Sequence, residues 1–194
     1  VSQYYFLVAS LPLLSYENRD AMEPDDYLAM LADHLSPANL QTVASARIDA
    51  PASEEESGAA TGNATIESWT RFERGLRNTL VHLRASGSAD PNDYVRLDRD
   101  GNDNTEPVEL AEAAREAYNH ESPLSGEDIL NRARWFHLDE LEVGHFFDLD
   151  RVIVYYLKLQ ILARRRIFTR SEGERQFAAI NERIMNDYYQ ERSE

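Results

Sequence analysis

The stretch Phe146–Phe168, FFDLDRVIVYYLKLQILARRRIF, decides the fold. Between Val152 and Ala163 only Lys158 and Gln160 are not apolar. The run is long for a buried strand and far short of the roughly 18 apolar residues of a membrane span. On a helix turning about 100° per residue, Arg151, Lys158 and Arg165 fall along one line, and nearly all the remaining circumference is apolar. A helix of that kind sits at the centre of a core, here with one narrow basic seam.

The neighbouring segments read as helices that surround it. Tyr4–Leu11 is a first helix stopped by Pro12, since proline disfavours helical geometry in the residue before it. With no basic residues ahead of it and no small-residue cleavage pattern after it, this apolar opening reads as a docked helix rather than a signal peptide. Glu23-Pro24 opens a helix to about Leu35. Ser36-Pro37 opens another to about Arg47, with Ser36 as the cap. Two helices joined so tightly form a hairpin.

Residues 49–64 lack apolar periodicity and read as a flexible loop or linker. Thr65 is then expected to cap an amphipathic helix through Ile66, Trp69, Phe72, Leu76, Leu80 and Leu83, stopped at Gly87. Residues 88–106 form a second polar loop. An alanine-rich helix from Pro107 to about Tyr118 follows. Ser125 and Asp128 resemble a capping box for a helix over Glu127–Glu142, which ends at Gly144. Asp148 caps the central helix, and three arginines close it against the negative end of its dipole. Ser171 and Glu174 start a last helix striped by Phe177, Ile180, Ile184 and Tyr188. The expectation is a single all-α domain over residues 1–194, a bundle of about seven helices with two long polar loops.

Composition narrows the function classes. The 194 residues include no cysteine, which removes disulfide scaffolds, thiolate metal sites and cysteine nucleophiles. A net charge of −15 opposes general nucleic-acid binding and attraction to anionic membranes, and favours basic partners or cations. Lys158 is the sole lysine among the twenty basic residues. That bias fits either an arginine-favouring genome or an acidic surface suited to high salt.

Catalytic patterns are missing. There is no G-x-S-x-G elbow, P-loop or dinucleotide-binding glycine pattern. Asp98, Asp100, Asn102 and Asn104 surround Gly101, but the EF-hand order fails, because its first and twelfth positions would be Arg96 and Pro107. Asx hydrogen bonds in a surface turn account for the pattern. Glu142 with His145 has the Glu-x-x-His spacing of di-iron bundles, without the second motif such sites need and with Gly144 interrupting the helix. His137 with Glu140 has the same weakness. No catalytic, cofactor or metal residue is assigned. The candidate partner-binding residues are Arg151, Lys158, Arg164, Arg165 and Arg166. For the seam, internal pairing with acids such as Glu174 or Glu182 is the simpler account, while the Arg164–Arg166 cluster is expected to protrude.

Two stretches resemble a family encoded within bacterial V/A-type ATPase operons. One is Gln3-Tyr4-Tyr5-Phe6-Leu7-Val8-Ala9-Ser10-Leu11-Pro12. The other runs from Arg134 to Arg165, with a core of Tyr155, Lys158, Leu159, Gln160, Ile161 and Arg164, and with Glu172-Gly173 and Phe177 beyond it. The resemblance implies a non-catalytic, cofactor-free component of a rotary ATPase, similar to the all-α C-type coupling subunit that joins the central stalk to the membrane ring. Its partners would be other ATPase subunits, without nucleic acid and without a membrane span of its own. It would be cytoplasmic and peripheral to the membrane. The alternatives are a metal-dependent enzyme using the His137–His145 region and a free-standing helical interaction domain.

Overall fold

The computed structural model describes residues 2–18, 20–48, 62–85, 90–98, 100–105 and 108–167, and these are the described residues throughout. They form seven α-helices and one short 3-10 turn, with no strand. The fold is all-α, as the periodicity of the sequence requires. The expected last helix from Ser171, the loop over 49–61 and the stop at Gly87 lie outside the described residues.

The central helix, α7, spans Leu149–Ile167. Every residue from Val152 to Leu159 is buried, as are Ile161 and Leu162. Each large aliphatic side chain removed from water there contributes about 1.5–3 kcal/mol, so the core is organised along this helix. Helix α1 (Ser2–Ser10) contributes Leu7. Helix α2 (Pro24–Ala32) contributes Tyr27 and Leu31, and α3 (Pro37–Ser45) contributes Val43. Residues 5 to 16 run beside α7 in its own direction, since the Tyr5 ring meets Phe147, the Tyr155 hydroxyl donates to the Pro12 carbonyl, and Arg165 meets Tyr16.

Helix α4 (Ala64–Ala85) joins two cores. Its first half sends Ile66 and Trp69 to the α7 cluster. Its second half packs Leu76 against Leu110 and Ala114 of α5 (Val108–Asn119) and Leu130 of α6 (Pro123–Glu142). Helix α5 thus builds a smaller core away from α7.

Two helix starts differ from expectation. Helix α4 is capped by Asn63, whose Oδ1 accepts the Ile66 N–H at 2.9 Å, while Thr65 is buried inside the helix. Helix α6 begins at Pro123, with Ser122 accepting the Ser125 N–H at 3.4 Å. This repeats the Ser36-Pro37 device, in which Ser36 accepts from Asn39; proline fits the first turn because no intrahelical acceptor awaits its missing N–H. Asp148 caps α7 as expected, accepting the Arg151 N–H at 2.9 Å.

The second polar loop is tied to α4. Asn78 is fully buried and its amide donates to the carbonyls of Arg96 and Asp103 while accepting the Arg96 N–H. Asn104, at φ 60°, brings its carbonyl against Gly75. A Cβ on Gly75 would collide with that carbonyl and lie 3.2 Å from Leu110. Although alanine is the better helix former by about 1 kcal/mol, Gly75→Ala is expected to destabilise the protein by about 1–3 kcal/mol through overpacking. Urea unfolding reads this; an unchanged midpoint would mean that the loop yields freely.

Candidate functional site

All five cations singled out in the sequence are engaged within the chain. Lys158 is buried, with Nζ 2.6 Å from Asp139 and 2.5 Å from Glu142, and 5.3 Å from the centre of the Trp135 ring. Burial pulls its pKa below the usual lysine value, against the opposing pull of Asp139. Arg151 pairs with the other Glu142 oxygen. Arg165 pairs with Asp128 at 3.3 Å, donates to the Tyr16 carbonyl, and lies 3.7 Å above the Tyr16 ring centre. Burial and the bond to Asp128 raise the Tyr16 pKa well beyond its ordinary value.

The expectation that Arg164–Arg166 protrude is therefore corrected. Arg164 bonds Glu127 at 3.1 Å, and Arg166 reaches Glu23 and the Ala21 carbonyl, both at 2.9 Å. Helix ends attract arginine through the dipole, but here α6 and the 16–23 segment fold over them. Glu174 and Glu182 lie outside the described residues; α6 supplies most of the acids instead. Glu127 also takes Arg134, whose Nε is 2.7 Å from Glu73 on α4, so a chain of charges, buried at Glu73 and Arg134 and half-buried at Glu127 and Arg164, links α4, α6 and α7.

Gln160 of the α7 resemblance core closes a polar gap. Gln160 donates to the Ala46 carbonyl at 2.9 Å and accepts the Ile48 N–H at 3.3 Å, fixing the chain as it leaves α3. Trp69 bonds the Arg47 carbonyl between them. These satisfy backbone groups that would otherwise be costly to bury.

Arg151→Glu combined with Lys158→Glu would set four carboxylates together at the α6–α7 contact. The expected loss is about 2–4 kcal/mol, less than the ~3–5 of fully buried pairs because Asp139 remains half-exposed. Thermal unfolding measures it, and an unshifted midpoint would contradict internal pairing.

The histidines separate into two environments. His137 stacks on Phe72 at 4.2 Å and 8°, with Nδ1 3.5 Å from Glu140 and Nε2 buried without a hydrogen-bond partner among the described residues. It lines an open groove of about 1470 Å³ shared with Phe72, Val95, Leu97 and Phe136. His145 instead faces Asp148 at 2.8 Å and Asp150 at 3.7 Å, leaving Glu142 to the cations. Gly144, at φ +90°, turns the chain between them. The Glu142–His145 pair is therefore no ligand pair.

Donor atoms of His145, Asp148 and Asp150 do lie within 4.8 Å of one another, a spacing able to hold a metal ion. Each already serves the protein: Asp148 caps α7, Asp150 accepts from Asn63 at 2.8 Å, and His145 bridges the two. In the DRDGNDN turn, Asp98 accepts from the Asp100 and Asn102 N–H groups and the Asn104 amide. Those bonds, with the Asn102 N–H foremost, hold its carboxyl below the usual range. It is a self-satisfied Asx turn, as the sequence pattern implies.

Burial lowers the His137 pKa below 6.5, with Glu140 opposing. A histidine depressed in the folded state contributes its stability fully above the unfolded value, about 6.5, and loses it as pH falls toward the folded value. Stability is thus expected to decline on acidification below about pH 6.5. His137→Phe should flatten that part of the profile in denaturant titrations; an identical slope would remove His137 as its source.

What sequence reasoning misses is an aromatic surface. Tyr5 of α1 meets the α6–α7 reversal, with its ring centre 4.7 Å from that of Phe147, and Phe6 lies edge-on against Tyr5. Phe6 is 73% exposed and Phe146 71%, with Val143 exposed on the same reversal. A signal for it exists in Tyr4-Tyr5-Phe6 and Phe146-Phe147. On a helix, consecutive residues lie about 100° apart, so the three in α1 cannot all face the core.

No helix among the described residues is long and apolar enough to cross a membrane. The fold and its surface define an all-α bundle with an exposed aromatic patch. Compared with protein-family models, curated proteins and solved structures, the chain matches none.

Proposed function

We propose that this chain is a non-catalytic interaction component of a V/A-type rotary ATPase, in the coupling role of a C-type subunit between the central stalk and the membrane ring. One observation carries the reading: the two stretches that resemble the operon family, far apart in sequence, meet in the fold. Tyr5 from the first packs its ring on Phe147 from the second, and the Tyr155 hydroxyl reaches back to Pro12. Lys158, Gln160 and Arg164 of the second stretch fasten α7 to α6 and to the end of α3. Residues that carry the resemblance thus set the architecture and lead to its exposed aromatic patch.

A coupling protein needs stiffness and a contact surface, and its energy of association is concentrated in a few aromatic or arginine side chains. The chain of charges through Glu73, Arg134, Glu127 and Arg164 supports the first need and the aromatic patch the second. In this role the chain performs no chemistry and binds its partners by shape and charge.

The expected result is that tagged protein, recovered from gently solubilised membranes of its native host, brings the ATPase A and B subunits and ring with it. Recovery of the chain without them would leave a free-standing helical domain.

A further inference from the structure

The Tyr5 ring lies against both Phe6 and Phe147, so the exposed Phe6 of α1 is brought to the α6–α7 reversal, where Phe146 is exposed beside Phe147 in the chain. Single exposed apolar residues are ordinary; several adjoining aromatic rings mark a contact surface. Its electrostatic setting is one-sided. Helix α1 brings no charged residue, and the adjoining segment 138–150, LDELEVGHFFDLD, is acidic and contains no lysine or arginine. Lys158 and Arg151 reach in to neutralise Asp139 and Glu142. Glu140, Asp148 and Asp150 face histidines, and no lysine or arginine pairs with them among the described residues.

We infer that this surface docks an apolar segment of another protein that carries lysine or arginine beside its apolar face. Phe6 and Phe146 supply the desolvated centre, and the carboxylates at the start of α7 and end of α6 receive the flanking cations at the rim. A second copy of this chain is a poorer occupant, because the same acidic rim would face itself and like charges oppose such a pairing. The inference deepens the proposed interaction role and rests on it for the partner's setting. Docking is tested on the isolated chain of residues 1–194, so either can fail without the other.

The probe is a synthetic helical peptide of about 18 residues, ~27 Å long, with leucines on one face and lysines on the flanks. Its control replaces lysine with glutamate. Binding is followed by fluorescence anisotropy at about 0.1 M salt, where charges are screened beyond ~10 Å. The lysine peptide is expected to bind and the glutamate peptide to fail. Phe6→Ser with Phe146→Ser should weaken binding about tenfold or more while leaving the circular dichroism unchanged, since both side chains are mostly exposed. A photo-crosslinking phenylalanine at position 146 should capture the lysine peptide. Equal binding by the double variant, or equal binding of both peptides, would overturn the inference. So would a cross-link at position 146 to a second copy or to residues 168–194 of the same chain.

Discussion

A helix buried on nearly every side cannot carry cations unless something neutralises them, and that constraint shapes the architecture around α7. Arg151, Lys158, Arg164 and Arg165 enter the interior with a helix that the core needs for its aliphatic faces. Leaving such charges unpaired costs several kcal/mol each. Helix α6 answers with Glu127, Asp128, Asp139 and Glu142, and its own Arg134 extends the chain of charges to Glu73 of α4. The α6–α7 hairpin is therefore fixed by charge as well as by apolar contact. Ion pairs of this kind add specificity of register more securely than they add net stability.

Much of the fold is legible in the sequence because its signals are local. Proline after serine marks the start of α3, Asp148 marks that of α7, and the apolar stripes of α4 and α7 give their inner faces. The displaced start of α6 has a physical reason. Ser125 resembles a cap because Asp128 follows three residues later, whereas Asp128 is committed to Tyr16, Arg132 and Arg165. Burial works against ionisation of that carboxyl, yet the Tyr16 hydroxyl and Arg132 hold its pKa below the usual range. The Asn63 cap is hidden for a similar reason: Asn63 and Thr65 both suit the position, and only geometry selects between them.

The surface is less legible than the core. The seam is recognisable as a line of cations, but the acids that answer it come from the preceding helix. A spacing rule finds them, since Asp128 and Glu142 are fourteen residues apart, as are Arg151 and Arg165. With a short reversal between α6 and α7, antiparallel packing brings equal spacings face to face. The aromatic patch arises from residues 5–6 and 146–147, and no periodicity within one segment reveals that two such segments adjoin.

The matched spacing has a mechanical consequence. The fourteen residues between the outer charge contacts span roughly 21 Å along the helices at about 1.5 Å per residue. Sliding α7 along α6 by one turn, about 5.4 Å, would carry Arg151 and Arg165 away from Glu142 and Asp128 at the same time. The pair is keyed against shear at both ends, by Arg151 with Glu142 at the reversal and by Arg165 with Asp128 at the far end, where Arg165 and Arg166 also hold the 16–23 segment.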